Sequence, residues 1–266
     1  APTPLIIKQM LSRYSPFRVF FLKIRVVVKS FFEHQFLDRF LRRLLRLGRM
    51  NLPQEYHRLA VQPDLSKKYV YAPLHYQPEC TTSPLGGIFV DQLLMIEMLS
   101  YALPHGWVIY VKEHPFQWKP RGAIYFSYRY EGFYKAIARL KNVQLVPLNT
   151  DTYTLIKHST AVASVGGTAP WEGVIRGKPG MVFGYPWYRD CHGIFEVRDV
   201  AACKKIFDEI QKGFVIERQQ LINYLGSFQK VVLNCFRDLY NSQISPLTVE
   251  QNVANIIKLI SRELEE

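Results

Sequence analysis

Cysteine is scarce and unpatterned in this 266-residue sequence. Cys80, Cys191, Cys203 and Cys235 form no CxxC pair and no Cys/His ligand spacing, which argues against a zinc ribbon or a disulfide scaffold and fits a reducing compartment. Long uncharged apolar runs are also missing. The stretch Val19 to Val28 carries Lys23 and Arg25, so it is too short and too charged to span a bilayer. No signal-peptide layout is present, because basic residues interrupt the apolar stretches at the start. The first residue is Ala, which leads us to expect a trimmed or processed N-terminus. Internal repeats and low-complexity tracts are absent, and no GxGxxG dinucleotide fingerprint occurs. What remains is 48% hydrophobic, 21% charged and 14% aromatic. That composition excludes a disordered chain and is enough for one full-sized core with peripheral elements.

The formal charge of +12 is unevenly placed. Residues 1–60 hold twelve Lys/Arg against three acids (Glu33, Asp38 and Glu55), leaving the rest close to neutral. Within that segment Leu37, Phe40, Leu41, Leu44 and Leu45 follow helical spacing, with Arg39, Arg42, Arg43 and Arg46 mostly between them. Pro16 divides the region into two expected helices. An imbalance of this size exceeds what a solvated face needs, and it points to an anionic partner. Anionic membrane surface is the favoured partner for residues 1–60. Nucleic acid is not expected, since no recognised binding motif accompanies the charge. A linker is expected near Asn51-Leu52-Pro53 and again at Gln62-Pro63-Asp64.

From residue 69 short apolar strands alternate with helix-length segments. Strands are expected at Tyr69–Leu74, Trp107–Val111, Val143–Val146, Ala161–Val165 and Gly180–Phe183. Helices are expected at Val90–Leu103, Glu131–Leu140, Thr152–His158 and Thr168–Arg176. This alternation predicts βαβ units around a parallel sheet, and the near-continuous apolar strands require cover on both faces. After about residue 199 the pattern is helical, with Val249, Val253, Ile256, Ile257 and Ile260 on one stripe. Three regions follow: a basic helical segment 1–62, a Rossmann-like domain 63–198, and C-terminal helices 199–266 packing on it.

Four segments carry candidate chemistry. Ser164-Val165-Gly166-Gly167-Thr168 follows a strand and opens a helix, so its glycines permit close backbone approach and its N–H groups suit a phosphate. Thr168 is placed to cap that helix or meet the ligand, and Glu172 lies one turn on, where a carboxylate suits two ribose hydroxyls. The plain alternative is a tight turn with a Thr N-cap. Lys112-Glu113-His114-Pro115 ends the second strand, and residues there face the ligand crevice of an open α/β sheet. Lys112 and His114 are two apart and point the same way in extended geometry. Either they hold a phosphate together or His114 is a buried structural histidine. After the first strand come Pro73 to Glu79 and then Ser83 to Gly87, where His75 or Glu79 suits a general base or acceptor positioning. An ordered polar loop explains them equally well. Gly184-Tyr185-Pro186-Trp187-Tyr188 offers aromatics for stacking or for packing.

The segments Tyr71 to Glu79, Tyr110 to Pro115 and Ala163 to Gly184 resemble bacterial capsule and surface-polysaccharide synthesis proteins, a group that includes Kdo-transferase-like enzymes. Motif order and spacing match over roughly residues 65–195. Arg176-Gly177-Lys178-Pro179 and Val182-Phe183-Gly184 match a "GKP…FG" ending. The resemblance implies a GT-B-type glycosyltransferase whose C-terminal Rossmann-like domain, with basic N-terminal helices and a helical C-terminal region here, holds a nucleotide-sugar. It further implies that Lys112 and His114 contact donor phosphate, that Ser164, Gly166, Gly167 and Thr168 form the phosphate loop, and that Glu172 meets the ribose. It implies a CMP-linked donor, a polysaccharide or glycolipid acceptor, and no cofactor or bound metal, in keeping with the lack of an Asp-x-Asp motif. His75, Glu79 and His114 are the catalytic candidates. The implied location is cytoplasmic, peripheral at the inner membrane face. One departure is clear: sixty residues of basic helix are too few for a complete first Rossmann domain, so the acceptor part is expected to be trimmed or reduced. Two other readings fit the motifs, a sugar-nucleotide epimerase of GT-B-like fold and a non-catalytic nucleotide- or membrane-binding module.

Overall fold

The computed structural model describes Ile24 and residues 51–77, 79, 81–118, 129–236 and 244–265. The basic helices expected before residue 50, and with them the membrane-facing surface, lie outside the described residues apart from Ile24.

Six strands form one sheet: β1 (Tyr69–Pro73), β2 (Val108–Lys112), β3 (Val143–Leu145), β4 (Ala161–Ser164), β5 (Gly180–Val182) and β6 (Ile194–Glu196). Their order is β3-β2-β1-β4-β5-β6, with every neighbouring pair parallel. Five of these match the expected strands to within a residue or so at each end. β6 was not expected; its three half-buried residues give no apolar run to read.

Alternate residues of each strand point to opposite faces, and the two faces have different cover. Val70, Ala72, Ile109, Val111, Ala161 and Ala163 are buried on one side with four helices. These are α1 (Leu52–Leu59), α2 (Gln92–Ala102), α3 (Phe133–Arg139) and α6 (Val200–Gln211). On the other side Tyr69, Tyr71, Tyr110 and Val162 bury Leu155 and Ile156 of α4 (Thr152–His158) and pack on Ala169 of α5 (Ala169–Val174). The doubly covered parallel sheet expected from the strand–helix alternation is therefore the observed fold.

The expected linker at Asn51-Leu52-Pro53 is instead the start of α1. Asn51 and Gln54 form a reciprocal capping box, at 2.9 and 3.2 Å, and proline is tolerated at the start of a helix. Tyr56 anchors this helix: its hydroxyl donates to the Val146 carbonyl and accepts from the Glu113 N–H at 3.0 Å. At the other end, α6 buries Cys203, Ile206, Phe207 and Ile210 in the same core, so the sheet unit runs past the expected boundary at 198 to Ile216.

Residues from Glu217 form a second compact unit with α7 (Arg218–Val231) and α8 (Val249–Glu265). Inside it the buried Asn252 side chain accepts from Phe236 N–H and donates to Phe236 carbonyl, at 2.7 and 3.2 Å. The helix expected from Val249 to Ile260 is present, and Val249, Val253, Ile257 and Ile260 on it are exposed. No helix among the described residues is long and apolar enough to cross a membrane.

Candidate functional site

In a sheet of this order the strand order reverses between β1 and β4, the switch point outside whose carboxyl ends open α/β sheets bind ligands. His75 leaves β1, and Ser164 to Thr168 leave β4. The structure joins them. His75 Nε2 lies 2.8 Å from Ser164 Oγ and accepts from the N–H groups of Gly166 and Gly167 at 3.1 and 3.0 Å. Those two donors are the ones expected to hold a phosphate, and here a ring nitrogen holds them.

For Nε2 to accept, the neutral ring must carry its proton on Nδ1. Burial, helped by Arg129 and His114 nearby, pushes the His75 pKa down to about 4. The backbone of His75 is fixed as tightly as its ring. Its N–H donates to Gln92 Oε1 at 2.7 Å, and its carbonyl accepts from Gln92 Nε2 at 3.3 Å and from Arg129 Nη2 at 2.9 Å. In this arrangement His75 organises the loop, and the nitrogen that a general base would use is already engaged.

The loop is closely packed behind. A Cβ on Gly184 would lie 2.7 Å from the Leu85 carbonyl oxygen and 2.9 Å from that of Val165, where Gly184 N–H already bonds. Gly184→Ala will therefore force backbone apart. We expect a loss of about 1–3 kcal/mol in a denaturant titration, the usual cost of overpacking, and a loss under about 0.5 kcal/mol would show that this packing is loose.

At the far side of the loop the geometry departs from the expected cap. Thr168 occupies the N-cap position of α5 without a capping hydrogen bond, and its hydroxyl donates to Glu172 Oε1 at 3.0 Å. The two residues do share a face, as their spacing requires. Thr168 is exposed and Glu172 half-buried.

Lys112 and His114 take different partners. Lys112 is 6% exposed, and its ammonium donates to the Thr150 carbonyl and, at 2.9 Å, to Thr152 Oγ1, tying the end of β2 to the start of α4. Burial lowers its pKa, and Asp151 opposes that. His114 lies beyond the strand end, half-buried between the rings of Tyr76 and Phe116, with Nδ1 accepting the Phe116 N–H at 3.2 Å. The chain turns after Glu113, so the extended geometry that would align them stops short of His114. Glu79 is exposed; its carbonyl accepts from Thr82 and Ser83 N–H, opening the turn that leads to Gly86.

Between the two histidines sits an ion pair that the sequence reading did not find. Glu113 and Arg129 meet at 2.7 Å with side chains 0% and 1% exposed. Glu113 also accepts from Tyr134 Oη at 2.6 Å and from the His114 N–H at 2.7 Å. Arg129 reaches on to Gln77 Oε1 at 2.6 Å and to the His75 carbonyl. Gln77 and Gln117 exchange backbone–amide bonds at 2.9 and 3.1 Å. This network holds the loops after β1 and β2 in one arrangement. Its only sequence signal was that Gln77 and Glu113 fall inside segments already singled out.

The aromatic loop divides between the two roles expected of it. Tyr188 is buried, and its hydroxyl donates to the Gly167 carbonyl. Trp187 and Tyr185 are exposed, Trp187 against Trp171 with ring centroids 5.0 Å apart. Among the described residues no group of three or more His, Cys, Asp or Glu is placed to hold a metal ion.

The sheet order and the helices on both of its faces define an α/β protein with a Rossmann-like parallel sheet. Residues 82–208, which include the segments 110–115 and 163–184, match the family described as capsule polysaccharide biosynthesis protein, in agreement with the resemblance those segments carry. Similar solved structures include two transferases from Thermosulfurimonas dismutans KpsC. The beta Kdo 2,7 transferase has 17% identity and a TM-score of 0.40, covering 66% of this chain and 50% of that one. The beta Kdo 2,4 transferase has 16% identity and a TM-score of 0.40, covering 70% and 67%. A UDP-GlcNAc 2-epimerase from Methanocaldococcus jannaschii has 11% identity and a TM-score of 0.40, covering 66% and 48%. The chain thus spans about half the length of the first of these. No curated protein matches the sequence.

Proposed function

We propose that this chain supplies the nucleotide-sugar-binding part of a metal-independent glycosyltransferase of GT-B type that builds a surface polysaccharide. The observation that carries the reading is the junction at the β1/β4 switch point, where His75 locks the Ser164–Thr168 loop and leaves Thr168 exposed and Glu172 half-buried. The family match over residues 82–208 supports it, and the family is the ground for a CMP-linked donor and a polysaccharide or glycolipid acceptor.

The roles divide by accessibility. Glu172, half-buried beside Thr168, accepts ribose hydroxyls. The Lys112 ammonium has three donors and spends two on Thr150 and Thr152, which leaves one for the donor phosphate. His114, half-buried at the end of β2, meets the leaving phosphate, and fixed dipoles around the loop stabilise the charge that develops there. Transfer breaks the bond between the sugar and the nucleotide phosphate and forms one to an acceptor hydroxyl, whose proton passes to a base. Exposed Glu79 is the described side chain best placed to meet an acceptor, and His75 is a positioning residue. The basic segment 1–60 holds the protein against anionic membrane on the cytoplasmic side.

A panel of nucleotides and nucleotide-sugars tests this by thermal shift. Ligand at about a hundred times Kd stabilises by about 2.7 kcal/mol, a rise of several degrees, and one member of the panel is expected to give it. His114→Ala should then lower the transfer rate at least about a hundred-fold, the low end for a lost electrostatic donor. Silence from every nucleotide at millimolar concentration would remove the donor site from this account.

A further inference from the structure

Two large aromatic side chains, Tyr185 and Trp187, stand at the surface of the loop after β5. Tyr185 is 61% exposed and Trp187 48% exposed, two residues apart on the same loop. They do not sit at random. Trp187 leans on Trp171 at 5.0 Å and 59°, which fixes its ring in place. Tyr185 carries the Arg189 guanidinium over its ring at 5.1 Å, and Arg189 pairs with the exposed carboxylate of Asp190 at 3.5 Å. Tyr188 stands against both tryptophans, at 6.1 Å from Trp171 and 5.4 Å from Trp187. Its hydroxyl is bonded to the Gly167 carbonyl, so Tyr188 ties the two tryptophans to the glycine loop.

We infer that Tyr185, Trp187 and Arg189 form a subsite for a pyranose ring of the acceptor glycan; this rests on the glycosyltransferase reading above. A pyranose has an apolar C–H face and a rim of hydroxyls. Half-exposed rings that are already packed on neighbours suit the first, at little cost in side-chain entropy. The second is suited by a planar guanidinium with a carboxylate beside it, which together donate to and accept from neighbouring hydroxyls. A protein partner would call for a wider and more continuous apolar patch than two rings flanked by an ion pair. Continuity with the glycine loop through Tyr188 places a bound ring beside the site of transfer.

The test uses the whole chain on a printed array of bacterial surface oligosaccharides, with intrinsic tryptophan fluorescence to titrate the best glycan. The wild type should retain at least one glycan with quenching or a spectral shift. Trp187→Ala should weaken it by about ten-fold or more, as loss of an aromatic anchor does, and Trp187→Phe should restore most of the binding. Should Trp187→Ala unfold the protein, Tyr185→Ala serves in its place, since that ring is the more exposed. Absence of any retained glycan, or affinity unchanged in both variants, overturns the subsite. The nucleotide thermal shift, measured on the same samples, separates the two ideas: if it persists while glycan binding is absent, the subsite falls and the donor site stands. If both are absent, both fall.

Discussion

Arg129→Met will destabilise the sheet unit by about 3–5 kcal/mol, because it leaves the Glu113 carboxylate buried without its cation. Three hydrogen-bonded partners on Arg129 go at once: Glu113, Gln77 and the His75 carbonyl. What remains on Glu113 is the Tyr134 hydroxyl and the His114 N–H, too little to hold a charge with no exposed surface. Surface ion pairs of similar geometry are worth under about 1 kcal/mol, so the size of the loss distinguishes a buried pair from a decorative one. Glu113→Gln in the same chain should restore part of the loss by removing the stranded charge, a coupling that a double-mutant cycle measures directly. Urea midpoints on the four proteins give the answer. A single-mutant loss below about 1 kcal/mol, or strict additivity, would mean that the pair does not hold the loops together.

Acid should unfold the protein through His75. The ring is neutral in the fold, with a pKa of about 4, while an exposed histidine titrates near 6.5. Between those values the unfolded chain takes up a proton that the folded chain refuses, so stability is full above about pH 6.5 and falls as pH drops towards about 4. The difference corresponds to about 3 kcal/mol. Structure gives the reason for the sign: a protonated Nε2 would turn a donor towards the N–H groups of Gly166 and Gly167, which it now accepts. His75→Gln cannot titrate, so its midpoint should fall less steeply than the wild type over that window. Parallel curves would show that the loop does not depend on the neutral ring.

The sheet was legible because burial on both faces writes itself as apolar runs. Val108–Lys112 and Ala161–Ser164 were each read within a residue or two. β6 was not, since Ile194, Phe195 and Glu196 are only half-buried and give no run. α1 is hidden for a different reason: Pro53 reads as punctuation, while Asn51 and Gln54 carry the capping signal three residues apart. The site shows the same division. Local spacing correctly put Thr168 and Glu172 on one face. It could not say that His75 would fill the loop 91 residues away, because only the order of strands brings β1 beside β4. Nor could it pair Glu113 with Arg129, since nothing in a periodic pattern records which acid meets which base. Long-range partners of polar groups are settled by topology.

A crystal structure of the chain with the nucleotide that gives the largest thermal shift decides whether the proposed nucleotide site lies above β1 and β4. Phosphate density is expected beside the Ser164–Thr168 loop, within hydrogen-bonding reach of Lys112 or His114, with the ribose at Glu172. A nucleotide bound elsewhere on the chain, or this site empty at saturating concentration, would contradict that reading.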